Sequence, residues 1–171
     1  MEEIKFLNPD KENGWLSNFS PAEVQYNGLT YQTSEHLYQF LKAQYIFDQE
    51  KHQVRFQRHV DHSKIRHEIR KAESPKEAKA IFNENYKHEI PLHIRSDIMR
   101  KVILEKFHQH KPLRDMLINS SGSIVEVHPK DYTWGCGESG KGLNLMGLLL
   151  TELRAILQVQ FPPTEKLKRR S

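Results

Sequence analysis

The segment "DYTWGCGESGKGLN", beginning at Asp131, carries two overlaid phosphate-binding patterns, and its neighbours in the chain supply the context of neither. Gly135, Gly140 and Lys141 spell most of G-x-x-x-x-G-K-[ST], but Gly142 stands where that loop needs a hydroxyl to hold magnesium. Gly135, Gly137 and Gly140 spell G-x-G-x-x-G. That fingerprint requires a second strand bearing an acidic residue about 20 positions on. Here only the helix-like "NLMGLLLTELRAILQVQ" and then "FPPTEKLKRRS" follow. A doubly wound nucleotide-binding sheet is therefore set aside.

With 171 residues the chain fits one domain. No run approaches the roughly 18 apolar residues of a membrane span, and residues 1–20 lack the order of a signal peptide. The single cysteine, Cys136, allows no internal disulfide, which suggests a reducing, cytoplasmic setting. Of the formal charge of +4, Lys166, Lys168, Arg169 and Arg170 against Glu165 account for +3, leaving +1 for the body. Residues 161–171 read as a basic, disordered tail behind a domain of residues 1–160, and global charge argues little for a polyanionic partner. Locally, Lys51 to Lys71 is basic, either a solvated helix face or a rim that attracts phosphates and offers a nucleic-acid contact.

The rest of the chain alternates short strand signals with helical ones. "IKFLNP" predicts a strand; "VQYNGLTYQT" predicts a hairpin about Asn27-Gly28. Ser34 is placed to cap a helix through "EHLYQFLKAQYIF", and Ser74 with Pro75 starts another. "SDIMRKVILEKFHQH" puts Ile98, Met99, Val102, Ile103 and Phe107 on one face, "PLRDMLIN" makes a shorter helix, and "SIVEVH" alternates as a strand. A last helix is expected from about Asn144 to Gln158. The expectation is an α+β fold, a single mostly helical domain around a small β-sheet.

Ten histidines raise a metal site, densest at His59, His62 and His67, but no cysteine pair supports it and Glu35-His36 reverses the His-Glu order of a zinc helix. Exposed polar helix residues explain them as well. Glu35 falls in the first turn of a helix, where a carboxylate is stabilised by free N–H groups. Asp131 falls in a turn that favours Asp anyway. The loop from Asp131 through Trp134 and Lys141, with four glycines, is built for close backbone approach to a ligand, and the N–H groups opening the last helix are a possible anion seat.

Five segments in order, "GWLSNFSP" (14–21), "YQTSEHLYQFLKA" (31–43), "SPKEA" (74–78), "DIMRKVILEKF" (97–107) and "DYTWGCGESGKGLNLMGLLLTELR" (131–154), resemble the NADAR family, also called YbiA-like proteins. The resemblance implies an N-glycosidase that needs no metal or redox cofactor and cuts a ribose C1–N bond. Its substrates would be ADP-ribosylated guanine, free or in nucleic acid, or phosphoribosylamino-pyrimidine intermediates of riboflavin synthesis. By motif, Glu35 and Asp131 match the family's acidic positions; Asn18, Phe19, Lys42, Trp134, Gly135, Lys141 and Asn144 fall around sugar, base and phosphate. Lys42, seven residues after Glu35, either pairs with an anion, lies at the surface, or attacks an opened sugar as a free amine. The family's tryptophan before the "DIM" helix is replaced by Pro91 or Leu92, so the base stacks on another ring, such as Phe19 or Trp134, or the substrate differs. A module that binds ADP-ribose or a nucleotide without turnover is the alternative function. Oligomeric state is not legible.

Overall fold

A computed structural model describes residues 3–51, 60–87 and 89–162. Residues 52–59 of the basic 51–71 segment, His59 among them, and nearly all of the expected tail lie outside the described residues. In chain order the elements are β1 (Glu3–Phe6), a 3-10 turn (Gly14–Leu16), β2 (Val24–Tyr26), β3 (Leu29–Tyr31), α1 (Ser34–Glu50), α2 (His62–Lys71), α3 (Pro75–Asn85), α4 (Leu92–Gln109), α5 (Lys111–Ile118), β4 (Ser123–Glu126) and α6 (Leu145–Gln160). The fold is α+β, as expected. Its strands form two separate pairs: β1 runs parallel to β4, Glu3 opposite Ser123 and Phe6 opposite Glu126, and β2 runs antiparallel to β3. Asn27 and Gly28 both hold positive φ, 49° and 74°, as the tightest hairpin turn requires.

A two-stranded pair is marginal by itself, and here each is covered by helices. Phe6 and Ile124 enter a main core with Val102, Ile103 and Phe107 of α4 and Leu149, Leu150 and Leu157 of α6. A second cluster joins Ala43 and Ile46 of α1 to Ile65 and Ile69 of α2 and Ala78 and Phe82 of α3. Helix α1 lies between the two, giving Leu37 to the first and Ala43 to the second. It is therefore buried on both sides, and its polar residues Glu35, His36, Gln39 and Lys42 are carried inside with it.

Two local expectations change. The N-cap of α1 is Thr33, one residue before Ser34, whose hydroxyl is buried without a partner. The Thr33 hydroxyl lies 2.9 Å from His36 Nδ1, and His36 Nε2 lies 3.1 Å from the Ala72 carbonyl. A carbonyl only accepts, so Nε2 carries the proton and Nδ1 accepts from Thr33. Burial accordingly pushes the His36 pKa down. Helix α4 begins at Leu92, ahead of the expected "SDIM" start, with Pro91 as N-cap. Its inner face carries an unforeseen Lys106, fully buried, which donates to the Trp15 carbonyl (2.7 Å), the Ser17 carbonyl (2.9 Å) and Ser20 Oγ (2.7 Å). A cation thus pins the loop that precedes the hairpin, and burial pushes its pKa down to about 7.

Candidate active site

Residues 35, 38, 39 and 42 share one face of α1 by the three- and four-residue spacing of a helix. Glu35 is 5% exposed. Its Oε1 accepts from Gln39 Nε2 at 2.5 Å, and its backbone N–H donates to the Asn18 carbonyl at 3.1 Å. Burial raises the Glu35 pKa, while the Gln39 bond and the charges of Lys79 and Lys42 pull it back. Asn18 is itself buried; its amide donates to Met99 Sδ at 3.0 Å, and its Oδ1 has no partner. The next residue, Phe19, is half-buried, with its N–H bonded to Ser17 Oγ.

Lys42 is buried as well, which removes the surface option. Its ammonium sits 3.7 Å from the centroid of the Phe82 ring and 5.0 Å from that of Tyr38. Burial pushes its pKa down to about 8, Lys79 and Arg95 act in the same sense, and Glu35 opposes them.

Asp131 follows β4 in a turn. Its Oδ1 accepts from the N–H groups of Thr133 (2.9 Å) and Trp134 (2.7 Å), so it is the turn former that its sequence position suggested. The turn delivers the Trp134 ring edge-on to Tyr38, with centroids 5.8 Å apart and planes at 84°. Tyr38, one turn after Glu35, registers both acids: burial raises its pKa, and the charges of Glu35 and Asp131 add to the rise. The two predicted acids thus share one neighbourhood, with Tyr38 coupled to each.

A third acid stands there that the sequence reading passed over. Glu126 ends β4, and burial raises its pKa to about 7 with further contributions from Asp131 and Glu35. One carboxylate oxygen, Oε2, is buried without a partner. Its backbone is held on both sides, N–H to Asn144 Oδ1 (2.9 Å) and C=O from the Cys136 N–H (2.9 Å). The alternation in "SIVEVH" was the available signal, because Glu126 shares the face of buried Ile124.

The glycine loop proves to be a self-bonded brace. The carbonyls of Thr133, Trp134 and Gly135 accept from the N–H groups of Leu145, Met146 and Asn144. These are three of the donors that open α6, so they are already engaged at the anion seat expected at that helix start. Gly135 and Gly142 are required by close packing: a Cβ at 142 would lie 2.6 Å from the Gly135 carbonyl oxygen. Asn144, at φ 48°, turns its amide back on β4, donating to the Ile124 carbonyl at 2.8 Å. It braces Glu126 from behind. Lys141 is exposed on the loop, and Pro91 and Leu92 at the start of α4 are exposed and carry no aromatic ring. A cavity of about 420 Å³ opens along another face of α1, between Tyr26, Tyr45, Ile94 and Lys101, and none of the expected site residues lines it.

Among the described residues no three His, Cys, Asp or Glu side chains are grouped to hold a metal. His67 is exposed, as a solvated helix residue would be. His62 departs from that account: it is buried, 3.0 Å from the Tyr86 hydroxyl and 3.0 Å from a Glu50 carboxylate oxygen. No helix among the described residues is long and apolar enough to cross a membrane.

The chain is similar to N-glycosidase YbiA of Escherichia coli (strain K12), 33% identical over 163 residues, covering 92% of this chain and 89% of the relative. It is 29% identical to riboflavin biosynthesis protein VVA0006 of Vibrio vulnificus (strain YJ016), covering 93% of this chain and 40% of that protein. It is 36% identical to the chloroplastic riboflavin biosynthesis protein PYRR of Zea mays, covering 83% of this chain and 23% of that one. The solution NMR structure of E. coli YbiA superimposes with a TM-score of 0.70 at 29% identity, over 99% of this chain and 89% of that one. The NADAR domain model matches residues 5–158, all but the ends of the chain, and the chain belongs to the NADAR domain family.

Proposed function

We propose that the chain is an N-glycosidase that hydrolyses the bond between C1 of a ribose and a nitrogen of a base. One observation carries the reading: Glu35 is buried on the α1 face that holds Tyr38 and Lys42, and the turn built by Asp131 sets Trp134 edge-on against that same Tyr38. Relatives whose names are N-glycosidase and riboflavin biosynthesis protein point the same way. As the C1–N bond breaks, its electron pair leaves with the base and C1 becomes cationic. A carboxylate fixed in a water-poor site stabilises that charge and takes a proton from the water that attacks C1. Glu35 is assigned this role. Asp131 orients the ribose hydroxyls through its remaining oxygen, and Glu126, with a pKa of about 7, suits the proton that the departing base requires. Trp134, edge-braced by Tyr38, is the ring assigned to stack on the base in place of the missing tryptophan.

The substrate is either ADP-ribosylated guanine or a phosphoribosylamino-pyrimidine. A side-by-side assay of free base release decides between them at a preference of about tenfold. Glu35→Gln and Asp131→Asn are each expected to lose at least about 10²-fold while remaining folded. Full activity in both defeats the assignment; tight binding with no product on long incubation replaces it with a binding module. A guanine carried in a nucleic acid would draw on the basic Lys51 to Lys71 segment, read as a salt-dependent KM. Part of Lys42 is the free amine near pH 8, the form that condenses with the C1 aldehyde of an opened sugar, losing water. Borohydride trapping of a protein–sugar adduct tests that route.

A further inference from the structure

Gln39 is 1% exposed on α1, and among the described residues its side chain has one hydrogen-bond partner. Its Nε2 donates to Glu35 Oε1, one helical turn back, at 2.5 Å, while its own Oε1 is enclosed with no hydrogen bond. On a solvated helix a glutamine four residues from an acid is a small helix stabiliser. Enclosed, the pair is unfavourable, because an amide oxygen left unmet costs more than the helix gains, and a methionine would fill the position without that cost. A carboxylate only accepts, so the amide must turn its NH2 to Glu35, and the unmet carbonyl oxygen follows from that orientation. The Glu35 backbone is held as well, its N–H donating to the Asn18 carbonyl at 3.1 Å. Oε1 is thus committed. Oε2 has no hydrogen bond among the described residues and is the oxygen left for a substrate.

We infer that Gln39 is a positioning residue for the proposed hydrolysis: by clamping Glu35 Oε1 it aims Oε2 at the ribose C1 and the attacking water. The inference rests on the N-glycosidase reading and deepens it. In the step concerned, the water oxygen bonds to C1, its proton passes to Oε2, and the C1–N electron pair leaves with the base. Gln39 acts through Glu35 and not on the substrate. Fixing one carboxylate oxygen removes a rotation, which keeps the other at attack distance. The amide N–H also favours the ionised form, the sense in which this bond opposes the rise that burial imposes on the Glu35 pKa. The titratable groups that act on Glu35 or respond to it are Tyr38 and Lys42 on its own helix, Lys79 on α3 and Glu126 on β4. All of them stay in place when residue 39 alone is changed.

Two variants separate positioning from packing. Gln39→Met keeps the length of the side chain and donates nothing; Gln39→Glu keeps its shape and, while the paired carboxyls hold one proton, keeps a donor. The test follows the Glu35 carboxyl by carbon-13 NMR of the full chain labelled at glutamate, with Glu35→Gln identifying the signal. Beside it, base release is measured against pH with ADP-ribosylated guanine and with a phosphoribosylamino-pyrimidine. In Gln39→Met the carboxyl midpoint and the acid limb of kcat/KM should both move up by about one pH unit or more, the worth of a charged hydrogen bond. Above that limb kcat should stay about tenfold or more below wild type with KM little changed, because aim is lost and binding is not. Gln39→Glu should recover kcat on the acid side and lose it along an alkaline limb that the wild type lacks, as the shared proton leaves and two carboxylates repel. Base release by the wild type, with midpoint and pH profile unmoved in both variants, overturns the positioning role alone. So does a Gln39→Met chain whose Tm falls while its profile keeps the wild-type shape, the result a merely structural bond produces. No base from either probe with the wild type defeats the glycosidase reading and the role with it, whatever the carboxyl titration shows.

Discussion

Replacing Glu126 by glutamine separates the cost of holding an acid in this site from every other contribution to stability. The folded Glu126 carboxyl has its pKa raised from the ordinary 4.5 to about 7, first by burial and then by Asp131 and Glu35. An acid with a raised folded pKa keeps its proton longer in the folded chain. Its contribution is intact below pH 4.5, declines as pH rises through the interval up to about 7, and is fully lost above that. The shift corresponds to about 3 kcal/mol, and partial exposure of the residue reduces this to about 2. Glutamine never ionises, so the variant gains on the wild type as pH climbs from 4.5 to 7 and the gap then levels. For a domain of this size the gap amounts to about 4–8 °C in Tm. The glutamine amide also places a donor where Oε2 has no partner, at a pH-independent cost of about 1–3 kcal/mol. The informative quantity is therefore how the Tm difference changes between pH 4 and 9, followed by circular dichroism. A difference that stays constant, or shrinks with rising pH, refutes the account of Glu126 as a buried, like-charge-crowded acid.

Glu35→Gln should raise Tm above neutral pH while abolishing base release, because the raised carboxyl of Glu35 is a stability cost retained at the site; a lower Tm at pH 8 contradicts it. Lys106→Met strands the Trp15 and Ser17 carbonyls and should lower stability by about 2–4 kcal/mol, seen as an earlier urea midpoint with unchanged slope. The wild type should also gain stability between pH 7 and 10, since the folded lysines at 42 and 106 release protons before their unfolded counterparts; Lys106→Met should flatten that rise. Gly147→Ala improves helix propensity by about 1 kcal/mol, yet its Cβ would strike the Ile124 carbonyl and the Asn144 amide, so a net loss of about 1–3 kcal/mol is expected in thermal melts.

The elements written in local chemistry were legible, and those set by tertiary contact were not. Asn27-Gly28 specifies its turn by backbone freedom, and Ser74 with Pro75 starts α3 as predicted, the hydroxyl accepting from Glu77 N–H at 3.2 Å. The start of α4 was misplaced because the apolar face that announced it begins at Ile98, whereas the helix itself begins at Leu92 with Pro91 as N-cap. The pairing of β1 with β4 joins segments about 120 residues apart, which no local pattern announces. In place of one sheet, two pairs lie under helices.

For the site, Glu35 and Asp131 were found because motif and position agreed, but their partner Glu126 looked like an ordinary outward residue of an alternating strand. Alternation assigns residues to faces and does not say which face is covered. Ile124 and Glu126 point together, and the loop braced by Asn144 and Gly135 closes over both, so an apolar residue and an acid share one buried face. The same geometry converted the glycine loop from a candidate phosphate cradle into a support. The N–H groups of Gly140, Gly142 and Leu143 bond to carbonyls within the loop itself. Lys42, for which the sequence left a surface role open, is held inside near an acid whose own burial raises its pKa.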